Sequence, residues 1–158
     1  MTTTQFSAEP GTQAISMTHV FDAPRACVFK LYTDPNLLPQ WWGPGKYTTV
    51  VDQMEVRPGG RWRYVQRAAD GTEYAFHGVY HAIEAPERLV GTFEFEGMPG
   101  HVLLETATFT EQDGRTTLTT QSIFQSVADR DGMWGSGMAE GATESMDRLA
   151  ALLANISN

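Results

Sequence analysis

The chain is poor in cysteine, in basic residues and in long apolar runs, and each shortage excludes a class of protein. Its one cysteine, Cys27, cannot form an intramolecular disulfide or a multi-cysteine metal site. No stretch approaches the roughly 18 apolar residues that a membrane-spanning helix needs. The first residues lack the basic segment and apolar run of a secretory signal. We therefore expect a cytoplasmic protein without membrane insertion.

Acidic residues outnumber basic ones, nineteen against eleven, and give the chain a net charge of −8. An acidic surface repels a phosphate backbone unless its cations gather on one face. Four arginines do recur close together, and we interpret them as the solvated edge of a strand, with an anion site as the alternative: Arg57, Arg61, Arg63 and Arg67. We expect no nucleic-acid partner.

Motifs for cofactors and metals are missing as well. The sequence has no G-x-G-x-x-G and no Walker loop, and Ser136 lies in WGSGM, which is not a nucleophile elbow. His77 and His81 are four residues apart on a predicted strand, about 13 Å, which is too far for one metal ion. We expect no cofactor and no bound metal.

Most of the chain has the periodicity of one α+β domain, which we place at residues 12–158 behind a flexible tail at 1–11. Alternation predicts a first strand over 12–21. Proline and glycine signals around apolar positions of helical spacing then predict two short helices, one after Asp22 and one between Asp34 and Gly43. Turn signals divide the following segment into six further strands, at 47–56, 62–68, 74–84, 89–95, 102–111 and 116–124.

The period changes to 3.6 residues from about Ala128 to Ile156, which predicts one helix of about 25 residues, roughly 37 Å long. No other predicted element is long enough to cover about seven strands, so we expect a curved antiparallel sheet wrapped around this C-terminal helix. Three glycines in its first half, Gly135, Gly137 and Gly141, each cost about 1 kcal/mol relative to alanine. Either the backbone packs closely on the sheet there, or the missing side chains leave room for a ligand.

Four segments carry a family resemblance: FDAPRACVFKLYTDPNLLPQWWGP at 21–44, RPGGRWRY at 57–64, GVYHAIEAPERLV at 78–90 and GMAEGATESMDRLAALL at 137–153. With the order of the elements, they resemble the START-like, or SRPBCC, proteins, and among these the family of the C-terminal domain of the activator of heat-shock protein 90 ATPase. The resemblance extends from Gln13 to Leu153 and implies the helix-grip fold. It implies several roles, because that superfamily includes lipid carriers, hormone receptors, polyketide cyclases and co-chaperone domains.

Aromatic residues and methionines mark a candidate ligand-binding cavity between helix and sheet. They recur on one face of successive predicted strands and along the long helix, a lining typical of small-molecule pockets, although a solid apolar core is the alternative. The candidate residues are Trp41, Trp42, Met54, Trp62, Tyr64, Phe76, Tyr80, Phe93, Phe95, Phe109, Met133, Trp134 and Met138. His101 and Glu105 share a strand face and are the acid–base candidates if the cavity is catalytic. The alternative is that both are ordinary polar groups.

Three functions fit these features. The first is a binding protein for a hydrophobic or aromatic small molecule, which we favour over enzymatic activity. The second, implied by the resemblance, is a chaperone-associated module of the stress response. The third is a cyclase- or lyase-type enzyme that uses the cavity. A homodimer is compatible with all three.

Overall fold

The computed structural model describes residues 3–156, which form one antiparallel sheet and three α-helices. The strands are β1 Gln5–Ser7, β2 Ala14–Phe21, β3 Thr48–Met54, β4 Arg61–Arg67, β5 Glu73–Glu84, β6 Arg88–Phe95, β7 Val102–Gln112 and β8 Arg115–Ile123. The helices are α1 Arg25–Thr33, α2 Val127–Trp134 and α3 Met138–Ile156, and a 3-10 helix spans Leu38–Gln40.

The strands lie in the order β1-β2-β8-β7-β6-β5-β4-β3, and every neighbouring pair is antiparallel. The sheet is not closed into a barrel, so β1 and β3 are its two edges. This architecture confirms the expected α+β helix-grip class. The seven predicted strands begin and end within two residues of the observed ones.

The N-terminal segment contributes a strand where the sequence analysis expects only a flexible tail. Gln5–Ser7 pairs with β2 in the register Phe6↔Met17 and makes the eighth strand of the described sheet. Three residues are too few to show a periodicity, which is why this strand is not predicted. Residues 1 and 2 of the predicted tail, and residues 157 and 158 of the predicted domain, lie outside the described part of the chain.

The predicted C-terminal helix is two helices in the structure. α2 ends at Trp134 and α3 begins at Met138, and between them Gly137 has a φ of 86°, a left-handed conformation that glycine adopts without steric cost. The 3.6-residue period continues through this break, so the pattern alone does not reveal it. The second predicted short helix is reduced to the 3-10 helix at Leu38–Gln40. No helix between residues 3 and 156 combines the length and the apolar character that crossing a membrane requires.

One face of the sheet is covered by α1 and α3, and we call it the inner face. Alternate side chains of β2 and β8 are buried there. Met17 and Leu118 belong to the same apolar cluster as Val28 of α1 and Leu149 of α3. Because Val28, Leu118 and Leu149 are fully buried, the packing of α1 and α3 on the inner face is the centre of the core.

Two strands carry bulges. β3 shifts register against β4 between Val51 and Gln53, and β5 shifts against β6 between Tyr80 and Ala82. A bulge bends its strand and increases the local twist. The bulges therefore curve the half of the sheet that is built from β3 to β6.

We expect Leu149→Ala to destabilise the fold by about 2–5 kcal/mol, because it leaves a cavity where α3 packs on the sheet. Ile156→Ala, at the exposed end of the same helix, is the control and should cost less than about 1 kcal/mol. Urea unfolding followed by circular dichroism gives both free energies of unfolding. A cost for Leu149→Ala no larger than that for Ile156→Ala would contradict the assigned packing.

Candidate functional site

A cavity of about 820 Å³ lies between the inner face of the sheet and the first half of α3. Strand residues such as Phe93 and Ser122 form its floor, and α3 from Met138 to Met146 forms its roof. The segment that joins the 3-10 helix to β3 closes one side. Pockets that hold small organic molecules have volumes of about 300–1,000 Å³, so this cavity has a suitable size.

The roof leaves space because its side chains are small. Gly137, Gly141 and Ala142 all line the cavity. A Cβ added at Gly137 would meet nothing within 4 Å, and one at Gly141 would meet only Pro44, at an ordinary 3.6 Å. Close packing of the backbone on the sheet therefore does not explain these two glycines. The left-handed backbone accounts for Gly137, and the absence of a side chain at Gly141 leaves space in the roof.

The segment at 40–47, which forms one side of the cavity, is bound to α3 by hydrogen bonds. Side chains of α3 contact main-chain atoms of this segment. Arg148 donates to the carbonyl oxygens of Gly43, at 2.7 Å, and Gln40, at 3.0 Å. The Ser145 hydroxyl accepts a hydrogen bond from the Gly43 amide at 2.9 Å. The sequence pattern marks Gly43 only as the end of a helix, so this connection is not predicted.

Nine of the thirteen predicted cavity residues border open space. The large cavity is lined by Trp41, Trp42, Phe76, Phe93, Met133 and Met138. A neighbouring cavity of about 100 Å³ is lined by Trp62, Tyr64 and Tyr80, and it shares Trp41, Trp42 and Phe93 with the large one. The Trp42 ring packs edge-on against Tyr64 and Phe76, with centroids 5.0 and 5.3 Å apart. Aromatic rings thus form a continuous wall from one cavity to the other.

The remaining predicted residues line neither cavity: Met54, Phe95, Phe109 and Trp134. Phe109 is 1% exposed and fills the core beside Phe29. Trp134 is 38% exposed and packs on Phe6 of β1. Phe95 packs on the ring of Phe76, and Met54 packs at the margin of the core. A position on the inner face of a strand is therefore not enough to place a residue in the cavity lining, because only part of that face lies beneath the small residues of α3.

Glu105 places a carboxylate in the floor of both cavities. In β7 it lies on the same face as the buried Leu103 and Ala107, so its side chain points to the inner face. The Glu105 side chain itself remains exposed, and it lines both cavities. Its cross-strand partners are Gly91 on β6 and Ser122 on β8. Gly91 has no side chain to cover the carboxylate, and the Ser122 hydroxyl donates a long hydrogen bond of 3.4 Å to Oε1.

Burial raises the pKa of Glu105 above its ordinary value, and the hydrogen bond from Ser122 offsets only part of this effect. Burial is also the main reason why the pKa values of Tyr32 and Tyr64 are raised, and the nearby Glu105 carboxylate adds to both shifts. The pKa of Tyr80 is raised by burial too. The smaller cavity is therefore bordered by three phenols that stay protonated and one carboxyl group that resists ionisation.

His101 does not meet Glu105, although the sequence places the two on one strand face. β7 begins at Val102, so the alternation does not extend to His101. The exposed His101 Nδ1 instead lies 3.0 Å from the carboxylate of Asp129 in α2. Of the two acid–base candidates, Glu105 reaches the cavity and His101 does not.

Three polar residues of the cavity lining are not predicted from the sequence. Thr120 and Ser122 on β8 and Gln66 on β4 are buried and line the cavity. The sequence does contain a signal for these three residues, because the alternation of β4 and β8 places them on the inner face of the sheet. The Gln66 Nε2 atom is buried without a hydrogen-bond partner. Among residues 3–156, no three or more His, Cys, Asp or Glu side chains gather as a metal site would require.

We expect Glu105→Gln to raise the melting temperature at about pH 8, because the amide keeps the shape of the side chain and removes a charge that burial disfavours. A carboxyl group whose pKa is raised by folding contributes stability below the pKa of the unfolded chain, and that stability is lost as the pH rises through the folded pKa. The gain from Glu105→Gln should therefore shrink to near zero at about pH 4.

Differential scanning calorimetry of wild type and variant between these two pH values measures the gain. Glu111→Gln, at the exposed end of the same strand, is the matched control and should show no comparable gain at the higher pH. A melting-temperature difference for Glu105→Gln that stays constant across the range would show that the folded protein does not resist ionisation of this group.

Solved structures share this fold over nearly the whole chain. A crystal structure of a protein from Mycobacterium smegmatis matches with a TM-score of 0.86 at 28% sequence identity, and the match covers 97% of both chains. A solution NMR structure of a protein from Arthrobacter aurescens matches with a TM-score of 0.88 at 27% identity, over 96% of this chain and 91% of that chain. No protein of curated function matches the sequence significantly.

The sequence model of one protein family covers most of the chain. It matches residues 22–154 and is described as Activator of Hsp90 ATPase homolog 1-like protein. The match extends from the residue after β2 into the last turns of α3, so it includes α1, the aromatic wall, Glu105 and the roof of the cavity. The chain therefore belongs to the Activator of Hsp90 ATPase homolog 1-like protein family.

Proposed function

We propose that the chain binds a hydrophobic or aromatic small molecule in the large cavity. The observation that carries the proposal is the space itself, about 820 Å³ between aromatic side chains and the small residues of α3. Protein interiors are normally close-packed, and a solid core would need large side chains at positions such as Gly141 and Ala142. An apolar ligand that fills this space gains about 25 cal/mol for each Å² of apolar surface that it removes from water.

A neutral apolar fluorophore, N-phenyl-1-naphthylamine, tests whether the cavity takes up such molecules. We expect it to bind the wild type, and Ala142→Phe should weaken binding at least about tenfold, because the new ring enters the cavity from its roof. Ala151→Phe, at an exposed position of the same helix, is the control and should bind like the wild type. A fluorescence titration gives the three Kd values. Equal affinities of the wild type and Ala142→Phe would contradict the proposal.

Organic extraction of the purified protein, followed by mass spectrometry, identifies a molecule that the chain carries. We expect a compound that is recovered from the wild type and from Ala151→Phe but is depleted from Ala142→Phe. Incubating that compound with the wild type and with Glu105→Gln then separates binding from cyclase- or lyase-type turnover, because Glu105 is an ionisable group that reaches the cavity.

The family description supports a second candidate function, interaction with a chaperone of the Hsp90 type. On the outer face of the sheet, Leu104 and Ile123 are cross-strand partners and are 42% and 38% exposed, which offers an apolar contact. If this function is right, the chain should raise the ATPase rate of such a chaperone, and Leu104→Ser should reduce the effect while Ala142→Phe leaves it unchanged. An ATPase rate that does not respond to the chain would eliminate this candidate.

A further inference from the structure

The charged side chains that line the large cavity are mostly negative. Glu105, Glu140 and Glu144 are carboxylates, and Lys46 is the ammonium group among the described lining residues. All four side chains are exposed; Glu105 lies on β7 in the floor, and the other three lie on the roof and on the segment at 40–47. The Lys46 ammonium is placed over the ring of Tyr47, 5.2 Å from its centroid. Carboxylates therefore dominate the electrostatic potential inside the cavity.

Glu105 has no cationic partner in the described part of the chain. Its one hydrogen bond there comes from the Ser122 hydroxyl and is long, at 3.4 Å. A carboxylate enclosed by mostly apolar walls is less well hydrated than one at the surface, and a positive group beside it stabilises its charge. Gly91, directly opposite on β6, also lines the smaller cavity and places no side chain beside the carboxylate.

Aromatic rings surround the same position. Tyr32, Trp41, Trp42 and Phe93 line both cavities, as Glu105 does. The face of an aromatic ring carries negative potential and attracts cations, most strongly where water is excluded. Rings and carboxylate thus favour the same ligand charge, and a neutral aromatic ligand would satisfy the rings but leave the carboxylate uncompensated.

We infer that the ligand is an organic amine, whose ammonium group pairs with Glu105 while its apolar part lies against the aromatic wall. The inference rests on the proposed function, because it specifies the chemistry of the molecule bound in the same cavity. An anionic ligand would meet the carboxylates of Glu105, Glu140 and Glu144. A bound ammonium also lowers the pKa of Glu105, so the ion pair forms although the empty site resists ionisation.

Three probes of nearly equal size separate charge from shape: naphthylmethylamine, naphthylmethanol and naphthoic acid. Displacement of N-phenyl-1-naphthylamine at about pH 8, where the amine is protonated, gives the Kd of each probe. We expect the wild type to bind the amine at least about tenfold more tightly than the alcohol, and the acid most weakly of the three.

Three variants locate the origin of this preference. Glu105→Gln should reduce the preference for the amine over the alcohol to within about threefold. Glu105→Asp, which keeps the charge, should retain a preference and guards against a folding defect in the first variant. Glu111→Gln removes the same charge outside the cavity and should bind the three probes as the wild type does.

The outcomes distinguish the inference from the proposed function. Equal affinities of the wild type for amine and alcohol, or tighter binding of the acid, would overturn the inference and leave the proposed function intact. A preference for the amine that persists in Glu105→Gln would overturn the assigned role of Glu105. Fluorophore binding that none of the three probes displaces would also overturn the inference. If the fluorophore itself fails to bind, the inference and the proposed function both fail.

Discussion

Apart from Met138, which packs at the margin of the core, α3 buries large side chains only along its second half, and the cavity depends on this constraint. Met146, Leu149 and Leu153 are buried in the core. In the first half of the helix, Gly141 and Ala142 lie above the strands and do not fill the space. A helix without a kink curves only gently, so the first half of α3 stays above the strands. The position of the cavity is therefore determined by the change from small to large side chains along α3.

The chemical character of this space depends on one departure from an apolar pattern. The inward side chains of β7 are Leu103, Glu105, Ala107 and Phe109, so one carboxylate interrupts an otherwise apolar row. Its neighbours do not compensate it, because Ser122 makes a long hydrogen bond and Gly91 contributes no side chain. A polar group that lowers the stability of a core is typical of functional sites, where contacts made during function offset the cost.

Periodicity predicts the sheet well, because every long strand has one covered face and the alternation records it. It does not predict β1, which is three residues long, or the break between α2 and α3, where the apolar stripe continues past Gly137. For the site, the same parity rule groups Trp62, Phe76 and Phe93 on the inward face, and each of them borders one of the two cavities. The rule does not show how far each inward residue lies from the helix, so it cannot separate Phe109, in the solid core, from the cavity lining.

The register shift in β3 has a consequence for the behaviour of the protein in concentrated solution. An open sheet presents unpaired main-chain groups at its edges, and such edges are where separate molecules join into aggregates. The shift between Val51 and Gln53 interrupts the row of groups that a second strand would need, and Asp52 carries a charge at that point, 3.3 Å from Arg63. At the opposite edge, β1 offers only three residues. Both edges are therefore poor templates for the addition of a strand from another copy of the chain.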